Sequence, residues 1–303
     1  MQEPPRPVVV VVTGPPRSGT TVMGRLLAYA RNTFLVYEPF NQDWGLFGVA
    51  RKFPYLRGRV DAEASEARLL HRYLAVGDVP WRNPSGQLPH GTRAIVRRKL
   101  VQDHPGWSAV VKDPFMLCAL GWSTEVLSRR PAIVTLRHPA AWTASMMRRQ
   151  MSPEPMLRGL ASQPELAEGH LAEILQPWHA DQLRSYVERL ALAWSAMVRM
   201  IDVQRSQGAS IELVRMEDFG AAPEATVRRL YDVVGLPAPE DLDEKLRSHT
   251  QAETVVPDRE VMHELRRNSA ALATAWQAIL SADQRQSVRD ICEPHVEDHY
   301  SEW

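Results

Sequence analysis

The sequence predicts an α/β fold in which a parallel sheet carries helices on both faces. Residues 8–12 are five consecutive valines, β-branched and apolar toward both sides, which suits a strand buried on both faces. Short apolar runs at 34–37, 108–111, 132–136 and 210–214 alternate with helical patterns, and that alternation argues for a parallel sheet. Charged residues fall just beyond the ends of four of these strands, Arg17, Glu38, Lys112 and Arg137. In open parallel sheets that carboxyl edge is where ligands bind.

Taken in order, the valine run stops at Gly14-Pro15-Pro16, which can neither extend a strand nor open a helix smoothly. Ser18, Gly19, Thr20 and Thr21 then lead into a helical pattern at 22–27. Strand, glycine loop and helix together aim backbone N–H groups and the positive end of a helix at one point, a natural seat for phosphate or sulfate. The loop is P-loop-like, because Gly14 and Gly19 keep the G-x-x-x-x-G spacing, but Thr20 stands where the lysine of an NTPase belongs. The second strand ends at Glu38-Pro39. Residues 40–107 carry Phe40, Trp44, Phe47, Trp81 and Trp107 among scattered Gly and Pro. They read as loops over the sheet edge with one helix at 62–76, their aromatics mainly packing residues.

The third strand ends in Lys112-Asp113-Pro114, with Asp113 shaping the turn before proline, and a helix is expected at 117–128. The fourth ends in Arg137-His138-Pro139, and Pro139 near the first position opens a helix over 140–150. Residues 151–180, with several prolines and mixed charge, read as a mobile connection with a helix near 166–175. A long amphipathic helix follows at 181–207, where Leu190, Trp194, Met197 and Ile201 form a core-facing stripe. The last strand precedes a helix over residues 223–234 that ends at Gly235, and further helices are expected at 268–280 and 282–299.

Composition narrows the function. The 303 residues hold 36 Lys+Arg against 36 Asp+Glu, and this balance lacks the basic excess of a nucleic-acid binder. Cys118 and Cys292 are the two cysteines, too few for a disulfide framework or a zinc pattern. The N-terminal residues lack signal-peptide character, and the valine run is too short to span a bilayer. The expectation is a cytoplasmic protein with no membrane or nucleic-acid partner and no metal.

The Pro-Pro-Arg-Ser-Gly-Thr-Thr string at 15–21 resembles the 5′-phosphosulfate loop of the sulfotransferases, enzymes that use 3′-phosphoadenosine 5′-phosphosulfate (PAPS) as donor. The resemblance runs from about residue 8 to 300 and implies a single domain of the sulfotransferase fold over 1–303. It makes Pro16, Arg17, Ser18, Gly19, Thr20 and Thr21 donor-binding residues. Arg137, ending a strand, and Ser145, eight residues later on the next helix, are similar to the family's 3′-phosphate site. Arg149, one turn further, lies on the same helix face. The segment from Val214 to Phe219 is similar to a late strand and helix of the family, with Met216 where many members have an aromatic.

Around the active site the chain is most similar to the tyrosylprotein sulfotransferase branch. It shares Lys-Asp-Pro-Phe at 112–115 and a glutamate 21 residues after the loop arginine. That likeness implies Glu38 as general base and Lys112 as an assistant in sulfuryl transfer. His104 and His138, the histidines nearest in sequence, are the alternative bases. The chemistry asks for these types: an in-line displacement needs cations, here Arg17 and Lys112, on the leaving oxygens and a base on the acceptor hydroxyl. The expected acceptor is a small molecule with a phenolic or sugar hydroxyl, met by residues 40–107 and 150–180. A P-loop-type nucleotide kinase, or a non-catalytic adenine-nucleotide-binding protein, is the competing reading.

Overall fold

A computed structural model describes residues 8–75, 79–82, 104, 106–183, 185–250, 274–296, 299–300 and 303. Its sheet has five strands: β1 (Val8–Thr13), β2 (Thr33–Tyr37), β3 (Ser108–Lys112), β4 (Ala132–Leu136) and β5 (Ile211–Arg215). They lie in the order β2-β3-β1-β4-β5, every neighbouring pair parallel. The valine run is therefore the central strand. Val9 and Val11 join the core on one face, and Val10 and Val12 join the core on the other. Period-two alternation sends each set to its own helical layer, which is why both sets must be apolar.

One layer contains α1 (Thr20–Leu27), which buries Met23, Leu26 and Leu27 under β1. Behind it packs an amphipathic helix, Pro223–Val234, stopped by Gly235 in the left-handed conformation. Its Tyr231 hydroxyl donates to the Leu26 carbonyl at 2.5 Å. The opposite layer is led by the 21-residue helix Tyr186–Ser206, with Leu190, Trp194, Met197 and Ile201 all buried. That helix starts at Tyr186, five residues later than its pattern suggests. Ser185 and Glu188 form a reciprocal capping box that satisfies the first free N–H groups there.

Two further expectations are corrected. The helix expected at 117–128 is broken into short turns, Pro114–Ala119, Leu120–Trp122 and a π turn at Ser123–Leu127. The buried amide of Gln204 accepts from Leu120 N–H at 2.7 Å and donates to the Leu117 carbonyl at 2.9 Å, taking groups a regular helix would pair internally. The stretch 151–180 is three helical segments, Glu154–Ala161, Glu165–His170 and Ala172–His179, rather than a mobile connection. Pro153 and Pro164 mark segment starts, Pro177 lies inside the last segment, and Leu157, Leu160, Leu166, Leu171 and Leu175 are fully buried in the core.

Elsewhere the helix expected at 62–76 is Ser65–Leu74. The expected C-terminal helices are Trp276–Ile279 and Ala282–Cys292, the latter followed by a 3₁₀ turn at Glu293–His295. Residues 268–273 of the first lie outside the described part of the chain. Among the loop aromatics, Phe40 is fully buried and Trp107 stacks on Phe34, but Trp44 and Phe47 are 52% and 62% exposed. Among the described residues no helix is long and apolar enough to cross a membrane.

Candidate active site

The site starts from the turn after β1. Gly14 has φ 144° because the chain there runs against β4: a Cβ would sit 2.2 Å from the Thr135 carbonyl oxygen. The Ser18 hydroxyl lies 2.5 Å from the Pro15 carbonyl and 3.0 Å from that of Thr135, and the Ser18 N–H donates to the Pro15 carbonyl. Ser18, expected to bind a ligand, thus has its polar groups turned onto the loop and the neighbouring strand β4. Trp142 donates its indole N–H to the Pro16 carbonyl at 2.5 Å and ties the loop to the helix after β4. Arg17 and Gly19 are both left-handed, with φ 70° and 93°. Gly19 lies under Met216, whose sulfur a Cβ would meet at 2.3 Å. Thr20 and Thr21 open α1, where the first N–H groups have no intrahelical partner and the helix dipole favours an anion.

Beside this loop the sheet register brings two expected residues together. Tyr37 pairs with Lys112 in the β2–β3 ladder, so Glu38 emerges next to Lys112. The Glu38 N–H donates to the Lys112 carbonyl at 2.7 Å, and the Lys112 ammonium donates to Glu38 Oε1 at 2.5 Å. The lysine side chain is 2% exposed. Its ammonium rests 4.3 Å from the centre of the Tyr37 ring, and its stem packs on α1 at Gly24, where a Cβ would come within 2.7 Å. A buried ion pair costs desolvation that its attraction rarely repays in full, so such pairs are often kept for function. The second carboxylate oxygen, Oε2, accepts from the Asn41 side-chain amide at 2.6 Å. Asn41 has no sequence motif to flag it; its only signal is a position three residues after Glu38.

Asp113 shapes the turn as expected, accepting from Phe115 N–H at 2.8 Å, and also accepts from Phe40 N–H at 2.5 Å. It thereby staples the β3 exit to the β2 exit. It is fully buried, and burial followed by the nearby negative charge of Glu38 pushes its carboxyl up to about 8, against the opposing pull of its two N–H donors.

The remaining expected residues meet on the other side of β1. Arg17, Arg137, Ser145 and Arg149 line one open cleft, floored by Ala141 and Ala144. The helix Pro139–Arg148 supplies Ser145. Trp194 holds the Arg137 carbonyl at 3.1 Å, and the His138 ring caps the helix by accepting from Ala140 N–H. Arg148 and Trp276 line the same cleft and were not singled out in the sequence. Trp276 comes from a distant C-terminal segment and stacks on His138, 5.4 Å between rings at 15°. His138 is further boxed by Tyr300 and Trp303, and its backbone N–H donates to Glu217. His104 is exposed on the approach to β3.

A family model described as "Sulfotransferase family" matches residues 7–240. This chain belongs to the sulfotransferase family. The parallel sheet with flanking helices is that family's fold. Solved structures similar to this sulfotransferase include a sulfotransferase domain from the curacin biosynthetic pathway, 14% identical, with TM-score 0.49, covering 96% of this chain and 98% of that one. A sulfotransferase domain from the Synechococcus PCC 7002 olefin synthase is 17% identical, with TM-score 0.47 and coverage of 99% and 98%. A sulfotransferase from Mycobacterium avium is 14% identical, with TM-score 0.44 and coverage of 99% and 78%. No curated protein matches the chain in sequence.

Proposed function

We propose that this sulfotransferase moves the sulfuryl group of PAPS to a hydroxyl of a small molecule, phenolic or sugar. The observation that carries the reading is the Lys112–Glu38 pair, its lysine buried, at adjacent strand ends beside the glycine loop. In the proposed step the acceptor oxygen forms a bond to sulfur while the bond from sulfur to the bridging oxygen breaks. The electron pair of that bond stays on the 5′-phosphate, and the acceptor proton passes to Glu38. Lys112 shifts from the carboxylate to the bridging oxygen, neutralising charge where it develops and freeing Glu38 Oε1. The N–H groups of Gly19, Thr20 and Thr21 receive the phosphosulfate.

The cleft formed by Arg17, Arg137, Ser145 and Arg149 suits a phosphate dianion, because guanidinium groups fork onto phosphate oxygens and the serine hydroxyl adds a directed bond. The acceptor lies toward residues 40–107 and 150–180, where exposed Trp44 and Phe47 follow Glu38 in the chain. The Lys-Asp-Pro-Phe string and the glutamate base resemble the tyrosylprotein branch, and the likeness extends to catalytic groups rather than to acceptor. Incubation with PAPS and a library of hydroxyl compounds, followed by mass spectrometry for an added sulfo group, tests the reading. Sulfation of a phenol or sugar supports it; production of phosphorylated compounds from ATP with none sulfated from PAPS overturns it.

A further inference from the structure

The turn after β2 is built around Asn41, a buried amide whose every polar group is engaged. Its N–H donates to the Glu38 carbonyl at 3.1 Å, and its own carbonyl accepts from Gly45 N–H at 2.7 Å. The side-chain oxygen accepts from Asp43 N–H at 2.9 Å. That bond fixes which way the amide points, so its NH₂ group is directed at Glu38 Oε2, 2.6 Å away. Gly45 allows the turn to close this tightly, since a Cβ there would lie 2.4 Å from the Pro39 carbonyl and 2.6 Å from that of Asn41. Glu38 itself is held left-handed at φ 49°, a conformation an L-residue keeps only when its surroundings impose it.

We infer that Asn41 is a positioning residue that breaks the symmetry of the Glu38 carboxylate, dedicating Oε2 to the protein and Oε1 to the acceptor proton. The inference rests on Glu38 acting as the base. A free carboxylate can flip and offer either oxygen. With Oε2 held by the amide, Oε1 is the oxygen in contact with Lys112 and the one released when Lys112 moves to the leaving group. An amide does this better than a carboxylate, because one end must accept from Asp43 and the other must donate to Glu38.

Asn41→Asp is the discriminating variant. It keeps the shape and the acceptor for Asp43 and replaces the donor with a charge facing Oε2. Single-turnover sulfation should slow by about 10- to 100-fold near neutral pH, the scale of a lost hydrogen bond to a charged group. The acidic limb of the pH–rate profile should move to higher pH, since the carboxylate then faces a like charge. Among the described residues, Lys112 faces Glu38 as a cation and Asp113, its carboxyl pushed up to about 8, lies beside it as a second titratable group, and both are unchanged in the variant. Affinity for adenosine 3′,5′-bisphosphate should stay within about twofold, and in a Glu38→Gln background the same substitution should cost less than about threefold.

An equal cost in both backgrounds, or a slower rate with an unmoved acidic limb, would overturn the inference and make Asn41 a scaffold residue only. Wild-type rates in Glu38→Gln alone would instead remove the base itself, and the inference with it. Should Asn41→Asp fail to fold by circular dichroism, Asn41→Ser loses the bond without adding charge and is read through the same cycle.

Discussion

The two sides of β1 handle charge in opposite ways. On the β3 side, one lysine and one carboxylate are locked together at 2.5 Å, with the lysine almost wholly buried. On the β4 side, four arginines and a serine gather around an open cleft whose lining, among the described residues, carries no carboxylate. An ion pair fixed in place suits a step in which charge is moved between partners. Guanidinium groups and a hydroxyl lining an open cleft suit holding an anionic ligand. One sheet edge thus divides into a half that would perform the transfer and a half that would hold the donor, with the loop of residues 14–19 between them.

Substitutions on the two sides should therefore have different signatures. Glu38→Gln, which keeps the shape and removes the basic oxygen, should lower turnover by roughly 10²–10⁴ with donor binding nearly unchanged. Single-turnover sulfation across pH 6–9, with fold checked by circular dichroism, measures this. Lys112→Ala should cost about 10²–10³ in kcat, as for a lost transition-state charge partner, again with little change in donor affinity. Normal turnover in a folded Lys112→Ala would erase the distinction between the two halves. Arg137→Ala should weaken adenosine 3′,5′-bisphosphate by about 10- to 100-fold and AMP far less, with Ser145→Ala a weaker version of the same pattern. Equal weakening of both nucleotides would mean that Arg137 does not read the 3′-phosphate.

Asp113 offers a stability readout rather than a kinetic one. Its carboxyl is raised from 3.8 to about 8 in the folded protein, chiefly by burial and then by Glu38. Between those values the folded state holds the proton more tightly than the unfolded chain does, so this group's contribution to stability is present at low pH and is lost as pH rises toward 8. The melting temperature of the wild type should carry a downward slope over that window that is shallower in Asp113→Asn. An identical slope in the variant would assign the pH dependence to other groups.

The sheet was legible because its signals are local. Five valines in a row have no comfortable place except a strand covered on both faces, and the strand-end charges followed from it. The pairing of Glu38 with Lys112 was legible only as proximity, since 74 residues separate them and the β2–β3 register that joins them is a long-range fact. Gln204 could not be foreseen as the residue that breaks the helix expected at 117–128, because its effect acts through tertiary hydrogen bonds. Asn41, Arg148 and Trp276 escaped for a related reason. Asn41 matters through one hydrogen bond, and Trp276 reaches the cleft from a C-terminal segment stacked on His138. The prolines of 151–180 look like chain breakers in sequence, yet several start helical segments, where a missing N–H costs nothing.

The central claim is that this edge takes a donor carrying a 3′-phosphate. Its most direct test is the thermal stabilisation of the wild-type protein by adenosine 3′,5′-bisphosphate, by AMP and by ATP with magnesium, each titrated to saturation. The bisphosphate at about 100-fold its dissociation constant should add roughly 2.7 kcal/mol and should bind at least about tenfold more tightly than either competitor, as one charge-assisted contact set requires. Tighter binding of magnesium ATP, or equal binding of the bisphosphate and AMP, would contradict it.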